Sequence, residues 1–215
     1  MTEYIDITQP VTSDMVSWPG RTPPEHSWEK NIAQGHHCNV SFWQMSAHSG
    51  THMDSPLHFI EGGRPIDRIP PEVFIGPCVV VDLPSNGCPT MDADLARQYL
   101  GEQRLLIRTQ HSDSSADGSY PPHDALLTPE AASMLVNSGM QLIGTDRLSV
   151  DDSQGADYSI HHLVLGAGCV IVEGLQLAEV KPARYSLIAT PLRLTATEAS
   201  PVRAFLRRAM KPMID

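Results

Sequence analysis

The stretch that decides the fold is residues 46–58, which read SAHSGTHMDSPLH. It holds three of the chain's 10 histidines, at positions 48, 52 and 58, together with Asp54. Imidazole nitrogen and carboxylate oxygen are the usual protein ligands for zinc, manganese and iron. No other window of the sequence contains so many potential ligands, so this stretch predicts a metal site.

The spacing of these residues requires a bend in the chain. Gly50 and Pro56 disfavour a helix. In a flat strand four residues span roughly 13 Å, whereas two nitrogens at about 2.0–2.1 Å from one metal lie only a few Å apart. The chain must therefore turn between His48 and His52, and Gly50 permits the turn. We expect a strand that breaks at Gly50 into a tight metal-wrapping loop, with Pro56 stiffening its exit.

A second group of potential ligands lies in residues 160–173, which read IHHLVLGAGCVIVE. Glu173 ends a strongly apolar run, so its carboxylate either reaches solvent or is buried against a cation, because an unpaired buried charge is costly. One of His161 and His162 should face inward, because adjacent positions diverge on a helix or a strand.

Size and charge exclude several classes of protein. The chain has 215 residues, most simply one domain spanning 1–215, and its formal net charge of −10 argues against a nucleic-acid partner. No apolar run approaches the ~20 residues that span a bilayer. The N-terminal segment lacks the basic and apolar regions of a signal peptide. We therefore expect a cytoplasmic protein that binds neither nucleic acid nor membrane.

Strands outnumber helices along the chain. Apolar and β-branched runs predict strands at 4–8, 39–47, 78–83, 104–109, 141–145, 169–173, 186–190 and 202–207. Helices are predicted at about 91–100 with Thr90 as cap, from Thr128 to Gly139, and at 156–165 with a stop at Gly166 or Gly168. These elements predict an α/β fold: a single domain in which a mixed β-sheet packs against a few helices. The polar loop 111–124 is long, as functional lids often are.

Residues 48–58, HSGTHMDSPLH, resemble the H-x-G-T-H-x-D-x-P-x-H signature of the cyclase family of metal-dependent hydrolases. This family includes bacterial kynurenine formamidases and isatin hydrolases. Further segments resemble the family in the same order along the chain: Trp18-Pro19-Gly20, residues 142–150, residues 161–173 and residues 200–204. The resemblance implies a swivelling β/β/α fold and a site for two divalent metal ions, zinc foremost, with manganese as the alternative.

The resemblance also assigns roles to individual residues. Asp54 would bridge both metals, His58 would be the catalytic acid and base, and the family spacing selects His161 over His162. The implied metal ligands are His48, His52, Asp54, His161 and Glu173.

The implied activity is hydrolysis of a small amide by a metal-activated water. The first candidate is an arylformamidase that converts N-formylkynurenine to kynurenine and formate. The alternatives are an isatin hydrolase-type lactam hydrolase and a metal-dependent cyclase or lyase acting on another small carbonyl compound. Trp18 and Phe42 are candidates to stack on an aromatic substrate, or are ordinary packing residues. A further alternative is a non-catalytic metal site with no open coordination position. His58, which lies beyond the implied ligands, argues against this alternative and for catalysis.

Other enzyme classes are disfavoured, because the sequence contains neither the G-x-S-x-G of serine hydrolases nor the G-x-G-x-x-G of dinucleotide-binding enzymes. Two arginines depart from the family pattern. Arg21 follows Gly20, where the family often has aspartate, and Arg147 follows residues 144–146, where kynurenine formamidases usually have a small residue or proline. Each lies either near the pocket or on the surface. The resemblance finally implies a homodimer or homotetramer, with the N-terminal region near a neighbouring subunit's active site.

Overall fold

The computed structural model describes residues 4–18, 20–83, 90–109 and 122–208. The strands are β1 Tyr4–Asp6, β2 Glu25–Lys30, β3 Val40–Gln44, β4 His52–Asp54, β5 Ile75–Asp82, β6 Arg104–Arg108, β7 Leu142–Thr145, β8 Val170–Glu173, β9 Ala183–Pro191 and β10 Ala199–Arg208. The helices are α1 Ala93–Ala96, α2 Pro129–Asn137 and α3 Ser159–Gly166. Short 3₁₀ helices lie at Ile32–Gln34, Pro56–His58, Ile66–Arg68, Pro71–Val73 and Arg97–Tyr99.

Seven strands form a closed mixed barrel in the order β10-β4-β8-β7-β6-β5-β9. Strands β5, β6, β7 and β8 run parallel, and the other pairings are antiparallel. The ring closes because β10 pairs with β4 through its first three residues and with β9 through the rest. Strand β1 adds to β10 outside the ring, and β2 and β3 form a separate hairpin.

Alternate residues of the parallel strands face two different cores. In β5, Cys78 and Val80 point into the barrel, whereas Val79 and Val81 point outward beneath the helices. Helices α1, α2 and α3 pack against one another on this outer face. The molecule therefore has two β layers and one α layer, and the predicted α/β fold with a mixed sheet and a few packed helices is confirmed.

The eight predicted strands are all present, with small shifts at their ends, but β2 and β4 were not predicted. The strand expected before Gly50 is β3, but the loop expected after Gly50 was wrong. Residues 46–51 form the turn, and the chain becomes extended at His52, because β4 is held between β10 and β8 on its two edges. All six residues of β2 are exposed, so the strand lacks the alternation of buried and exposed residues that predicts a strand from sequence.

The helix after Thr128 begins there as predicted, because the Thr128 hydroxyl accepts the Ala131 N–H at 3.2 Å. The predicted cap Thr90 was wrong. Asp92 caps α1 by accepting the Leu95 N–H, while the Thr90 hydroxyl donates to the Ala125 carbonyl.

The third helix starts at Ser159, three residues later than predicted. Of the polar loop 111–124, residues 111–121 lie outside the described part of the chain. Within the described ranges, no helix is long and apolar enough to cross a bilayer.

Candidate metal centre

Two facing glycines bring β4 and β8 together at the candidate site. Gly50 has φ +64° and Gly174 has φ +68°, a left-handed backbone that glycine adopts without steric cost. A Cβ on Gly174 would lie 2.7 Å from the Gly50 carbonyl oxygen. The predicted bend at Gly50 is therefore present, and only a glycine at 174 allows this close approach.

The register of β4 places its two ligand candidates on one face. His52 lies opposite Glu173 and Asp54 lies opposite Ile171, so the side chains of His52, Asp54 and Glu173 share the outer face of the barrel. Met53 points the other way, into the barrel core. The remaining candidates approach from three separate elements: His48 from the turn before Gly50, His58 from the 3₁₀ helix Pro56–His58, and His161 from α3.

The structure brings all five predicted metal ligands together. His52 Nε2 lies 3.6 Å from Asp54 Oδ1 and 3.5 Å from Glu173 Oε2. His161 Nε2 lies 3.7 Å from Asp54 Oδ2 and 3.4 Å from Glu173 Oε1. Two ligands at about 2.1 Å from one tetrahedral ion lie about 3.4 Å apart, so these separations suit ligands that share an ion.

Asp54 is the centre of the cluster. Its side chain is fully buried, and neither carboxylate oxygen accepts a hydrogen bond of acceptable geometry from the described residues, although His48 Nδ1 lies 2.9 Å from Oδ1. An isolated buried carboxylate is costly unless a cation compensates it. Two sets of potential ligand atoms, each within 4.8 Å, share Asp54: one with His48 and His58, the other with His52 and Glu173. This arrangement fits a divalent metal.

Each histidine predicted to be a ligand is held by its second ring nitrogen. His52 Nδ1 lies 2.9 Å from the Gly50 carbonyl oxygen, His161 Nδ1 lies 2.5 Å from Asp151 Oδ2, and His48 Nε2 lies 3.1 Å from Glu198 Oε1. Metal-binding histidines in proteins usually donate the other N–H in this way, which fixes the tautomer and the ring orientation. The three rings therefore present one nitrogen each to Asp54 and Glu173.

Asp151 was not identified in the sequence. Its Oδ1 accepts the Ile160 N–H at 2.8 Å and its Oδ2 accepts the His161 N–H at 3.1 Å, in addition to its contact with the His161 ring. One buried carboxylate thus caps α3 and orients His161. Its position directly after Ser149-Val150 in the family-like segment was the available signal.

His58 differs from the other rings. Its Nε2 is 3.9 Å from Asp54 Oδ2, and within the described chain its ring makes no hydrogen bond. Burial lowers the pKa of His58 to about 4, although the Asp54 carboxylate acts in the opposite direction. The imidazole is therefore neutral at pH 7.

The buried carboxylates of the cluster favour positive charge beside them. Burial alone would lower the pKa of His161, but the neighbouring carboxylates of Asp151, Asp54 and Glu173 outweigh burial and raise that pKa well above its usual value. Burial would raise the pKa of Asp54, but the surrounding histidines hold it well below its usual range. In the metal-free chain, protonated histidines supply the positive charge that a bound divalent cation would otherwise supply.

A cavity of about 120 Å³ opens onto the cluster. Trp18, Phe59 and Tyr158 supply its aromatic wall, and Ser149 and Leu148 also line it. An apolar cavity of about 150 Å³ accepts benzene, so this slightly smaller and partly polar cavity is on the scale of one small ring.

Of the two predicted stacking residues, Trp18 lines the cavity, whereas Phe42 lies half-exposed on β3 and does not line it in this chain. Phe59 and Tyr158 were missed. Phe59 follows His58 directly, which was a usable signal. Tyr158 has φ +45°, a strained left-handed conformation that no sequence pattern announces.

The two arginines that depart from the family pattern lie in different environments. Arg21 lines the cavity. Arg147 is fully buried and donates to the Asp124 carbonyl oxygen at 2.7 Å, so it lies neither in the cavity nor on the surface. His161 is buried and His162 is exposed, as expected for adjacent positions, and Glu173 is buried in the cluster.

Comparison with known proteins gives a consistent picture. Residues 5–152 match the sequence model of the Cyclase family, described as "Putative cyclase". The chain belongs to the cyclase family. It is 36% identical over 211 residues to a kynurenine formamidase of Salinibacter ruber, covering 97% of this chain and 99% of the relative. A kynurenine formamidase of Bacillus thuringiensis is 37% identical over 209 residues, covering 95% and 97%.

Solved structures of cyclase-like proteins share the fold. A protein from Bacillus stearothermophilus described as a predicted metal-dependent hydrolase superposes with a TM-score of 0.80 at 28% identity, covering 97% of this chain and 100% of that chain. Isatin hydrolase A from Labrenzia aggregata superposes with a TM-score of 0.81 at 24% identity, covering 97% and 94%. The family resemblance seen in residues 48–58 is thereby confirmed.

Proposed function

We propose that this cyclase-family protein is a metal-dependent arylformamidase that hydrolyses N-formylkynurenine to kynurenine and formate. The observation that carries the proposal is the buried, hydrogen-bond-free carboxylate of Asp54 among oriented histidines, with a neutral His58 beside it. Relatives at 36% and 37% identity that bear the name kynurenine formamidase bear out the amide-hydrolase prediction.

The proposed cofactors are two divalent ions, zinc in the first instance and manganese as the alternative. We assign His48, His52 and Asp54 to one ion, and Asp54, His161 and Glu173 to the other. His52 Nε2 lies 3.6 Å from Asp54 Oδ1, and His161 Nε2 lies 3.7 Å from Asp54 Oδ2 and 3.4 Å from Glu173 Oε1, which supports shared ions. His52 Nε2 also lies 3.5 Å from Glu173 Oε2, so the division of the ligands between the two ions follows the family resemblance. Bound divalent ions supply Lewis-acid polarisation of a carbonyl oxygen and lower the pKa of water from 15.7 to about 7.

The residues of the chain itself perform the remaining steps. Trp18, Phe59 and Tyr158 enclose the aryl ring and exclude water from its faces. His58 takes a proton from the attacking water at its free ring nitrogen and returns it to the nitrogen of the leaving amine. General acid–base catalysis of this kind contributes about 10²- to 10⁴-fold to the rate.

A substrate panel tests the proposal. Metal-loaded protein is assayed with N-formylkynurenine and with isatin, following kynurenine and the opened lactam by absorbance. We expect turnover of N-formylkynurenine that disappears on removal of metal. Preference for isatin would replace the formamidase with the lactam hydrolase, whereas turnover of neither substrate would favour a cyclase or lyase.

The role of His58 is tested by His58→Ala, with the exposed His36→Ala as a matched control. We expect the variant to lose about 10²- to 10⁴-fold in kcat while its metal content stays at that of the parent. Loss of metal instead would move His58 into the ligand set, where its proximity to His48 and Asp54 would also allow it.

We further propose that residues 1–215 act as one domain and that the chain forms a homodimer or homotetramer. The β2–β3 hairpin supports this assembly, because Trp28 and Trp43, 49% and 41% exposed, share one face of it, and Phe42, 50% exposed, lies on the other face. Exposed apolar patches of this kind mark interaction surfaces. Light scattering on the purified protein tests it: a monomer at micromolar concentration would contradict the proposal.

A further inference from the structure

Arg21 is the single lysine or arginine among the described residues that line the cavity. Its backbone N–H donates to the Trp18 carbonyl oxygen at 3.0 Å, which fixes it in the same turn as that aromatic residue. Its guanidinium Nη1 donates to Ser46 Oγ at 3.3 Å, and Ser46 Oγ also accepts the His48 N–H at 3.2 Å. The guanidinium is therefore tethered to the turn that carries one of the proposed metal ligands.

The guanidinium retains capacity for a ligand. Within the described chain, no carboxylate lies within 4.0 Å of Arg21, and the bond to Ser46 uses only one of its five N–H donors. Arg108, whose side chain is also partly buried, is by contrast paired with Asp82. Arg21 lines this cavity and also a second one that it shares with Ser46. A partly buried cation at the wall of a cavity, without an acidic partner within 4.0 Å among the described residues, is placed to receive an anion.

The remaining walls define what kind of anion. Trp18, Phe59 and Tyr158 offer aromatic surface, and the rings of Phe59 and Tyr158 lie 5.3 Å apart. The carboxylate among the described lining residues, Glu173, belongs to the metal cluster. A ligand that satisfies all three walls combines a carbonyl group for the cluster, an aromatic ring and an anionic group.

We propose that Arg21 determines substrate specificity by binding a carboxylate on the aryl formamide, so that this enzyme selects aromatic formamides that carry an acid group over neutral ones. The inference rests on the proposed arylformamidase function and names its substrate class. Guanidinium and carboxylate match in a bidentate, charge-assisted geometry that an ammonium does not reproduce. Arg21 acts on binding and not on the proton transfers of His58.

The test compares 2-formamidobenzoate, which carries a carboxylate, with neutral formanilide on the metal-loaded enzyme. Arg21→Gln should lower kcat/KM for 2-formamidobenzoate by about 10- to 100-fold, mostly through KM, and change formanilide by less than about twofold. Arg21→Lys should recover part of the loss. Arg68→Gln is the matched control, because that side chain is 75% exposed and does not line the cavity. An equal loss on both substrates would overturn the proposal.

A binding measurement separates this inference from the proposed function. Calorimetry with benzenesulfonate, an aromatic anion that ligates metals poorly, reports on Arg21 without turnover. Weaker binding by about 10-fold or more in Arg21→Gln supports the anion site even if the parent hydrolyses neither formamide, which would sink only the arylformamidase. Unchanged benzenesulfonate binding would overturn the role of Arg21 whatever the activity.

Discussion

At the scale of single residues, the candidate site separates ring orientation from proton transfer. His48, His52 and His161 are each fixed at one nitrogen by a carboxylate or carbonyl oxygen. His58 lacks such a hydrogen bond among the described residues and has a pKa lowered by burial to about 4. A fixed ring suits a ligand, and an unfixed neutral ring suits a group that accepts a proton and releases it again.

Asp151 is the residue whose removal tests ring orientation most directly. Asp151→Ala takes away the acceptor for His161 Nδ1, so the affinity for the metal that His161 is proposed to bind should fall about 10- to 100-fold. The variant also loses a helix cap, which costs about 1 kcal/mol of unfolding free energy. Chelator competition measures the affinity, and urea unfolding measures the stability.

The neighbouring Asp152→Ala is the control for Asp151→Ala. Asp152 is a carboxylate one position further on that accepts the Gln154 N–H and does not touch His161. If Asp151→Ala loses stability but binds metal with parental affinity, Asp151 is a cap only and its orienting role is wrong.

At the scale of elements, the cluster depends on the antiparallel pairing of β4 and β8, beside which Gly50 and Gly174 approach each other closely. Gly174→Ala would place a methyl group 2.7 Å from the Gly50 carbonyl oxygen in a backbone with φ +68°. We expect a loss of about 2–4 kcal/mol of unfolding free energy, more than the cost of a left-handed alanine alone, and weaker metal binding. Urea unfolding and chelator competition on the same protein check both effects.

Gly101→Ala provides the comparison for Gly174→Ala. Gly101 has φ +85°, but nothing lies within 4 Å of the position of its added Cβ, so it reports the backbone strain without the clash. Equal destabilisation by both substitutions would show that the close approach of residue 174 to Gly50 adds nothing to the cost of the alanine.

The same elements show what sequence could and could not predict. The motif in residues 48–58 is local, so a metal site and a bend at Gly50 followed from spacing and ligand chemistry, whereas the individual ligands followed from the resemblance to the cyclase family. Strand β10 pairs with both β4 and β9, and its partners in β4 lie more than 100 residues away along the chain. No local sequence pattern predicts this pairing. Asp151 acts through the fold position of α3, so its role also became visible only in three dimensions.

At the scale of the whole molecule, the metal centre joins distant parts of the chain. Its candidate ligands come from the turn before β4, from β4 itself, from β8 and from α3. Ions bound there would cross-link the barrel to the helical layer. Because the unfolded chain does not hold these residues together, metal binding and folding should be thermodynamically linked.

Metal removal should therefore lower stability, and it should do so more strongly as pH rises. At a free metal concentration 100 times its Kd, one ion adds about 2.7 kcal/mol of unfolding free energy. In the metal-free protein His161 has a pKa raised above 6.5, so the stability that its proton contributes is complete below pH 6.5 and lost as pH rises through the folded-state pKa. Urea unfolding of chelated and zinc-loaded protein between pH 6 and 9 measures the difference. A gap that stays constant or narrows with pH would contradict the idea that histidine protons replace the cation.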